Sequence, residues 1–220
     1  MTPRATFENE LQALHVTLIR MGALAEEAIN HAILAFQQQN DTLAQEIIQG
    51  DRQIDEMEKR VEAMCLSLLL RQQPVARDLR VVSTALKLVT DIERIGDHAS
   101  DIAELVLRMK GEHLYQVVQH IPHMAQEAQS MVHDAISAFV QGDVQAAREV
   151  MARDDQVDDL FNRVKQEVVE ILKSSAENSD RCVDLLMIAK YLERIGDHAV
   201  NICEWVEFNS TGEYKNVRIM

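Results

Sequence analysis

The heptapeptide Glu93-Arg94-Ile95-Gly96-Asp97-His98-Ala99 recurs without change at residues 193–199, an offset of 100. An identity of that length marks an internal duplication, so any fold for this chain must be one that can be built twice. The likeness continues outward through Asp101/Asn201, Ile102/Ile202 and Glu104/Glu204. A weaker echo lies upstream. Asp51-Arg52-Gln53-Ile54-Asp55 resembles Asp154-Asp155-Gln156-Val157-Asp158 at an offset of 103, and Met21, Ala35 and Phe36 answer to Met124, Ala138 and Phe139. The three-residue slip between the offsets predicts a shorter loop before the last helix of the second copy. The chain therefore divides into one repeat over residues 1–112 and another over 113–220, joined near Gly111-Glu112-His113.

Each copy reads as three helices. Ala85, Leu88, Ile92, Ile95, Ala99, Ile102 and Val106 follow an alternating 3-4 spacing, and Leu185, Ile188, Leu192, Ile195, Ala199, Ile202 and Val206 repeat it. That is a heptad seam, the signature of straight packed helices. Ile54, Met57, Val61, Met64 and Leu68 make a second seam upstream. In copy one the breaks predict helices over 8–38, 42–71 and 77–110. Asp41 caps the second, Pro74 stops it, and Gly111 stops the third. In copy two, Ile121-Pro122 opens or interrupts the first helix, Gly142-Asp143 and 174–179 are the turns, and the last helix ends near 209–212. The fold class is all-α: two tandem up-down-up three-helix bundles, with helices of about 30 residues spanning about 45 Å. Composition agrees, since 7 Gly and 3 Pro in 220 residues are too few for the turns of a β-protein.

Charge limits the partners. The formal net charge is −14, with 22 Lys+Arg against 36 Asp+Glu and no basic stripe. Nucleic acid and anionic membrane surfaces are thereby disfavoured, and metal cations or basic protein patches favoured. The odd trio Cys65, Cys182 and Cys203, without a C-x-x-C pair, predicts neither a disulfide framework nor a thiolate zinc site. No apolar run reaches the length of a membrane span, and Met1-Thr2-Pro3-Arg4 leads directly into an amphipathic pattern rather than a signal peptide. The expectation is a cytoplasmic protein with no membrane insertion.

The seams fix where the carboxylates point. With Ile92 at a and Ile95 at d, Glu93 falls at b, Asp97 at f and Asp101 at c, all off the bundle's own core. On the preceding helix Asp51 falls at e and Asp55 at b, with Glu58 and Glu62 extending the stripe. Copy two offers Asp154 and Asp158 with Glu193, Asp197 and Asn201. Carboxylates four apart share a helix face and repel, whereas a hard cation between two such stripes reverses the sign. A solvated acidic face is the plain alternative for any one pair; its repetition in both copies favours metal. Gly96 and Gly196, each placed mid-helix at a cost of about 1 kcal/mol, suggest close approach by a ligand, or tight helix packing alone. His98 and His198 read as structural residues bonding across a bundle edge. Arg94 and Arg194 read as partners of nearby acids. His113, His120 and His123 cluster at the join without an evident third ligand for zinc.

Nothing argues for catalysis. There is no P-loop, no dinucleotide fingerprint and no nucleophile triad, and no Glu-x-x-His of the kind that lines di-iron bundles. A carboxylate-bridged metalloenzyme or a metal-storage protein remains the alternative.

The doubled E-R-I-G-D-H-A, the D-x-x-I/V-D of the second helix, and Pro74-Val75-Ala76-Arg77-Asp78-Leu79-Arg80 together resemble the PhoU family over essentially the whole chain. That resemblance implies two bundles related by pseudo-twofold symmetry in a cytoplasmic, often homodimeric, regulatory adaptor of phosphate homeostasis. It implies restraint of the phosphate-starvation response, exerted with the ATPase subunit of the phosphate-specific transporter and with a sensor histidine kinase. It also implies surface sites for iron, zinc or other divalent or ferric ions (manganese or magnesium among them), possibly multinuclear, at Asp51/Asp55 with Glu93/Asp97 and Asp101, and at Asp154/Asp158 with Glu193/Asp197 and Asn201. Asn201 in place of Asp101, and Phe161 in place of Glu58, predict a weaker second site.

Overall fold

The computed structural model describes residues 3–109, 118–174, 179–215 and 217–218. The first copy holds α1 (Pro3–Gln38), α2 (Asp41–Gln72) and α3 (Arg77–Arg108). The second holds α4 (His120–Gln141), α5 (Val144–Met151), α6 (Asp154–Ser174) and α7 (Ser179–Thr211), then a short hairpin of β1 (Glu213–Tyr214) and β2 (Val217–Arg218). The all-α class and the doubled three-helix plan stand, with α5 and α6 together in the place of α2. The join at Gly111–His113 and most of the 174–179 turn lie outside the described residues.

Local chemistry explains the ends, with one correction. Asn40 rather than Asp41 caps α2: its side chain accepts from the Leu43 amide at 3.1 Å, and Asp41 becomes the first helical residue. Asp143 caps α5 by accepting from the Gln145 and Ala146 amides at 2.9 and 3.1 Å. Gly142, at φ 65°, supplies the left-handed residue that ends α4. The middle helix of copy two is broken where copy one is continuous. At the break stands Arg153, whose guanidinium reaches Glu127 and Asp134 on α4 at 3.1 and 2.7 Å; the matching residue of copy one is Gly50. The hairpin, which periodicity did not announce, is held by Tyr214 stacked on Trp205 at 4.2 Å between ring centroids and by Lys215 paired with Glu204 at 3.2 Å.

Every member of the two seven-residue seams is buried. Yet α3 and α7 bury more than a seam: Val82, Val89, Ser100 and Ala103 on α3, and Ala189 and Cys203 on α7, are also closed off. The second buried face is where the copies meet. α3 packs on α7 and α1 on α4, so equivalent helices face each other, as a pseudo-twofold axis requires. The equivalent residues His98 and His198 lie with ring centroids 5.7 Å apart, which puts that axis between them. Around it His98 stacks on Tyr191 at 5.4 Å, and Asp91 receives His198 Nδ1 at 2.9 Å and Asn201 Nδ2 at 3.0 Å. His198 thus bonds across the bundle edge as expected. The three cysteines are free and buried.

Candidate metal-binding groove

α2 and α3 run side by side with their acidic stripes facing one groove. Asp51, Asp55 and Asp97 bring one carboxylate oxygen each to within 4.8 Å of the others. Glu93 lies one turn further along, near Glu58 and Asp55, and Asp101 lies on the Asp51 side. All six of these carboxylates are half-buried rather than fully exposed. The reason is the neighbourhood: α2 packs closely on α3, with buried Ile54 set against Gly96 beside Asp51.

Compensation inside the groove is thin. Arg94 pairs with Asp97 at 2.8 Å and approaches Glu93 at 3.4 Å, from the outer edge. Asp101 faces His98 Nδ1 at 3.3 Å. Asp51 Oδ1 and Glu93 Oε2 are shut off from solvent without a hydrogen-bond donor. Unit charges at the 4.8 Å limit repel by about 1 kcal/mol in water and about 3 kcal/mol at an effective dielectric of about 20. Proton affinity responds accordingly. Burial pushes the Asp51 carboxyl up to about 6, with Asp97, Asp55 and Asp101 adding to it. Burial pushes Glu93 up to about 7, with Asp97 adding and Arg94 opposing. Asp97 and Glu58 are raised by burial as well. Asp51 and Glu93 thus bind a proton more readily than free carboxylates do, and the groove's hard oxygen donors suit a divalent or ferric ion.

The second stripe differs. Asp158 and Asp197 are exposed, and only Asp154 and Glu193 are half-buried. Among the described residues no second set of three carboxylates converges as the first does. Asn201 turns its amide to Asp91 in the interface between the copies instead of toward Asp154 and Asp158. Lys190 contacts Glu193 and sits over the Phe161 ring at 5.5 Å. Sequence reading passed over Lys190, although its spacing of three from Glu193 was a readable signal.

The close approach at Gly96 is made by protein, not ligand: a Cβ there would lie 2.7 Å from Ile54 Cδ1. At Gly196 the nearest atom would be Val157 Cγ1, at an ordinary 3.5 Å, so that glycine answers to no crowding. The histidines of the join are likewise structural where described. His120 joins Glu167 through its ring at 2.8 Å and its amide at 3.4 Å, tying α6 to the start of α4. His123 lies 3.9 Å from Glu127, and His113 is outside the described residues.

The chain is a duplicated helical scaffold with a charged groove on its outside, between α2 and α3. The PhoU domain profile matches residues 18–106 and again 121–206. A PhoU homologue of the phosphate-specific transport system from Clostridium acetobutylicum is 40% identical over 211 residues, covering 96% of each chain. PhoU homologue 1 of Thermotoga maritima is 33% identical over 97% of this chain and 92% of its own. The crystal structure of PhoU from Pseudomonas aeruginosa superposes with a TM-score of 0.90 at 33% identity, covering 94% of this chain and 100% of that one. The phosphate transport system regulatory protein PhoU from Streptococcus pneumoniae superposes with a TM-score of 0.87 at 30% identity. The chain belongs to the PhoU family, and it is an accessory protein, not an enzyme. No described helix is long and apolar enough to cross a membrane.

Proposed function

We propose that this chain is a cytoplasmic regulatory adaptor of phosphate homeostasis that restrains the phosphate-starvation response, working with the transporter ATPase subunit and a sensor histidine kinase. Its relatives support the phosphate-transport setting: they are accessory or regulatory proteins of that system. The observation that carries the molecular part is the half-buried, under-compensated groove of α2 and α3. There Asp51, Asp55 and Asp97 would hold a divalent or ferric ion, flanked by Glu93 and Asp101. Asp51 Oδ1 fits a cation, because it is a buried acceptor lacking a donor, and Glu93 Oε2 is buried with Arg94 Nε no nearer than 3.4 Å. A bound ion would cross-link α2 to α3 and turn an acidic face into one presenting open coordination positions. Leu66, Leu70 and Val75, exposed at 55%, 80% and 75% at the end of α2 and the turn beyond, offer an apolar contact for a partner beside that face, a homodimer mate included.

A metal-storage or metalloenzyme role gains no such support, since the carboxylates lie on the outside without an enclosed pocket around them. The test combines two readouts on one variant. Asp97→Ala should lose metal in elemental analysis and weaken phosphate-dependent repression in cells while keeping its circular dichroism spectrum. Full repression by a folded, metal-free Asp97→Ala would separate the groove from the regulatory role and sink this reading.

A further inference from the structure

The two stripes descend from one ancestral unit, yet they are filled differently. At the position of Thr90, which is exposed and uncharged, copy two has Lys190, half-buried. At the position of Glu58, half-buried in the first groove, copy two has Phe161. The two replacements touch. The Lys190 ammonium lies over the Phe161 ring at 5.5 Å and contacts the Glu193 carboxylate. Lys165 Nζ lies near the same ring at 6.0 Å. An ammonium over an aromatic face and against a carboxylate is held from two sides. The first groove has Arg94 instead, which pairs with Asp97 at 2.8 Å and Glu93 at 3.4 Å from the outer edge, 53% exposed, with Glu58 where copy two has the Phe161 ring.

We infer that Lys190 is the resident cation of the second stripe, seated by Phe161, and that this pair confines metal binding to the first bundle. The inference rests on the proposed metal reading of the first groove. It replaces a strong and a weaker ion site by one metal site and one ion pair built from the chain itself. The physical logic is competition. A metal ion entering between Glu193 and Asp158 would meet a fixed positive charge and a ring that donates no ligand atom, where the first groove offers Glu58 and no lysine.

The test uses Zn²⁺ titrated calorimetrically into EDTA-stripped full-length protein, with bound zinc counted by elemental analysis. Asp197→Ala should bind as wild type does, and Asp97→Ala should bind none. Adding Phe161→Glu and Lys190→Thr to Asp97→Ala should restore zinc binding, now in the second bundle. Equal loss of zinc in Asp97→Ala and Asp197→Ala would overturn the inference and leave the metal reading standing; so would a folded triple variant that gains no zinc. If wild type takes up no zinc, the metal reading fails, and the resident cation is then judged by unfolding. Lys190→Met should lower the Tm by a few degrees in the wild type and leave it unchanged in a Glu193→Gln background. A Tm loss of the same size in both backgrounds, or none in either, would overturn the ion pair itself.

Discussion

Gly96 and Gly196 occupy equivalent positions in identical heptapeptides, and the structure makes opposite predictions for them. Replacing a helix-interior glycine by alanine gains about 1 kcal/mol from backbone entropy and shielding. At Gly196 the new methyl would meet Val157 at 3.5 and 3.8 Å, which is ordinary contact. Gly196→Ala should therefore stabilise the protein by about 1 kcal/mol, a Tm rise of about 2–4 °C for a chain of this size. At Gly96 the methyl would sit 2.7 Å from Ile54 Cδ1, 3.3 Å from Ile54 Cγ2 and 3.6 Å from Asp51 Oδ1. Cγ2 would have to give by only a few tenths of an ångström, whereas Cδ1 must leave its place altogether, and Ile54, 3% exposed, has little free space to turn into. Overpacking of that kind costs about 1–3 kcal/mol. Set against the same gain, Gly96→Ala should be neutral to about 2 kcal/mol destabilising. Ile54 is the counterpart of Val157, and Ile54→Val deletes the offending Cδ1. In that background Gly96→Ala should behave as Gly196→Ala does, giving a coupling of about 1–3 kcal/mol in a double-mutant cycle. Urea unfolding of metal-free protein followed by circular dichroism measures all four terms. Equal stabilisation by Gly96→Ala and Gly196→Ala, with no coupling to Ile54→Val, would show that the clash does not govern this site.

The remaining expectations concern charge and buried polarity. Because Asp51 and Glu93 are raised to about 6 and about 7, the folded state binds protons that the unfolded state has released between about pH 4.5 and pH 7. Metal-free protein should therefore gain stability as pH falls from about 7.5 to about 5, a trend that urea midpoints at each pH would reveal and that Asp51→Asn with Glu93→Gln should flatten. Metal must displace those protons, so Zn²⁺ affinity should rise steeply in calorimetric titrations as pH is raised from about 5 to about 7.5. Thr84 is 1% exposed and its hydroxyl has no hydrogen-bond partner, so Thr84→Val should stabilise the fold by about 1 kcal/mol or more in thermal unfolding. Gly50 has open space where a Cβ would stand, and Gly50→Ala should raise the Tm through a gain of about 1 kcal/mol.

The seam of Ile92, Ile95, Ala99 and Ile102, doubled at 192–202, was enough to determine helices, bundles and the duplication, because a helix sets the azimuth of every side chain on it. For the same reason the sequence alone determined that Glu93 and Asp97 share a face, and Asp51 and Asp55 another. The turn chemistry at 40–41 and 142–143 was legible too, apart from the choice between Asn40 and Asp41 as cap, which hangs on one backbone dihedral. Distances between helices were not legible, since they depend on side-chain volumes contributed from both sides. Only the tertiary structure decided that Ile54 fills the space a Gly96 side chain would need while the smaller Val157 leaves room at Gly196. Only it decided that α3 and α7 bury a second face against each other, so that His98 meets His198 and Asn201 is drawn to Asp91. The extra apolar residues Val89, Ala103, Ala189 and Cys203 carried that signal, but periodicity cannot name the helix an apolar face will meet. The half-burial of the first stripe and the lysine lodged in the second are of the same kind: charge spacing is written along one helix, and the desolvation that gives charge its consequence comes from the helix packed beside it.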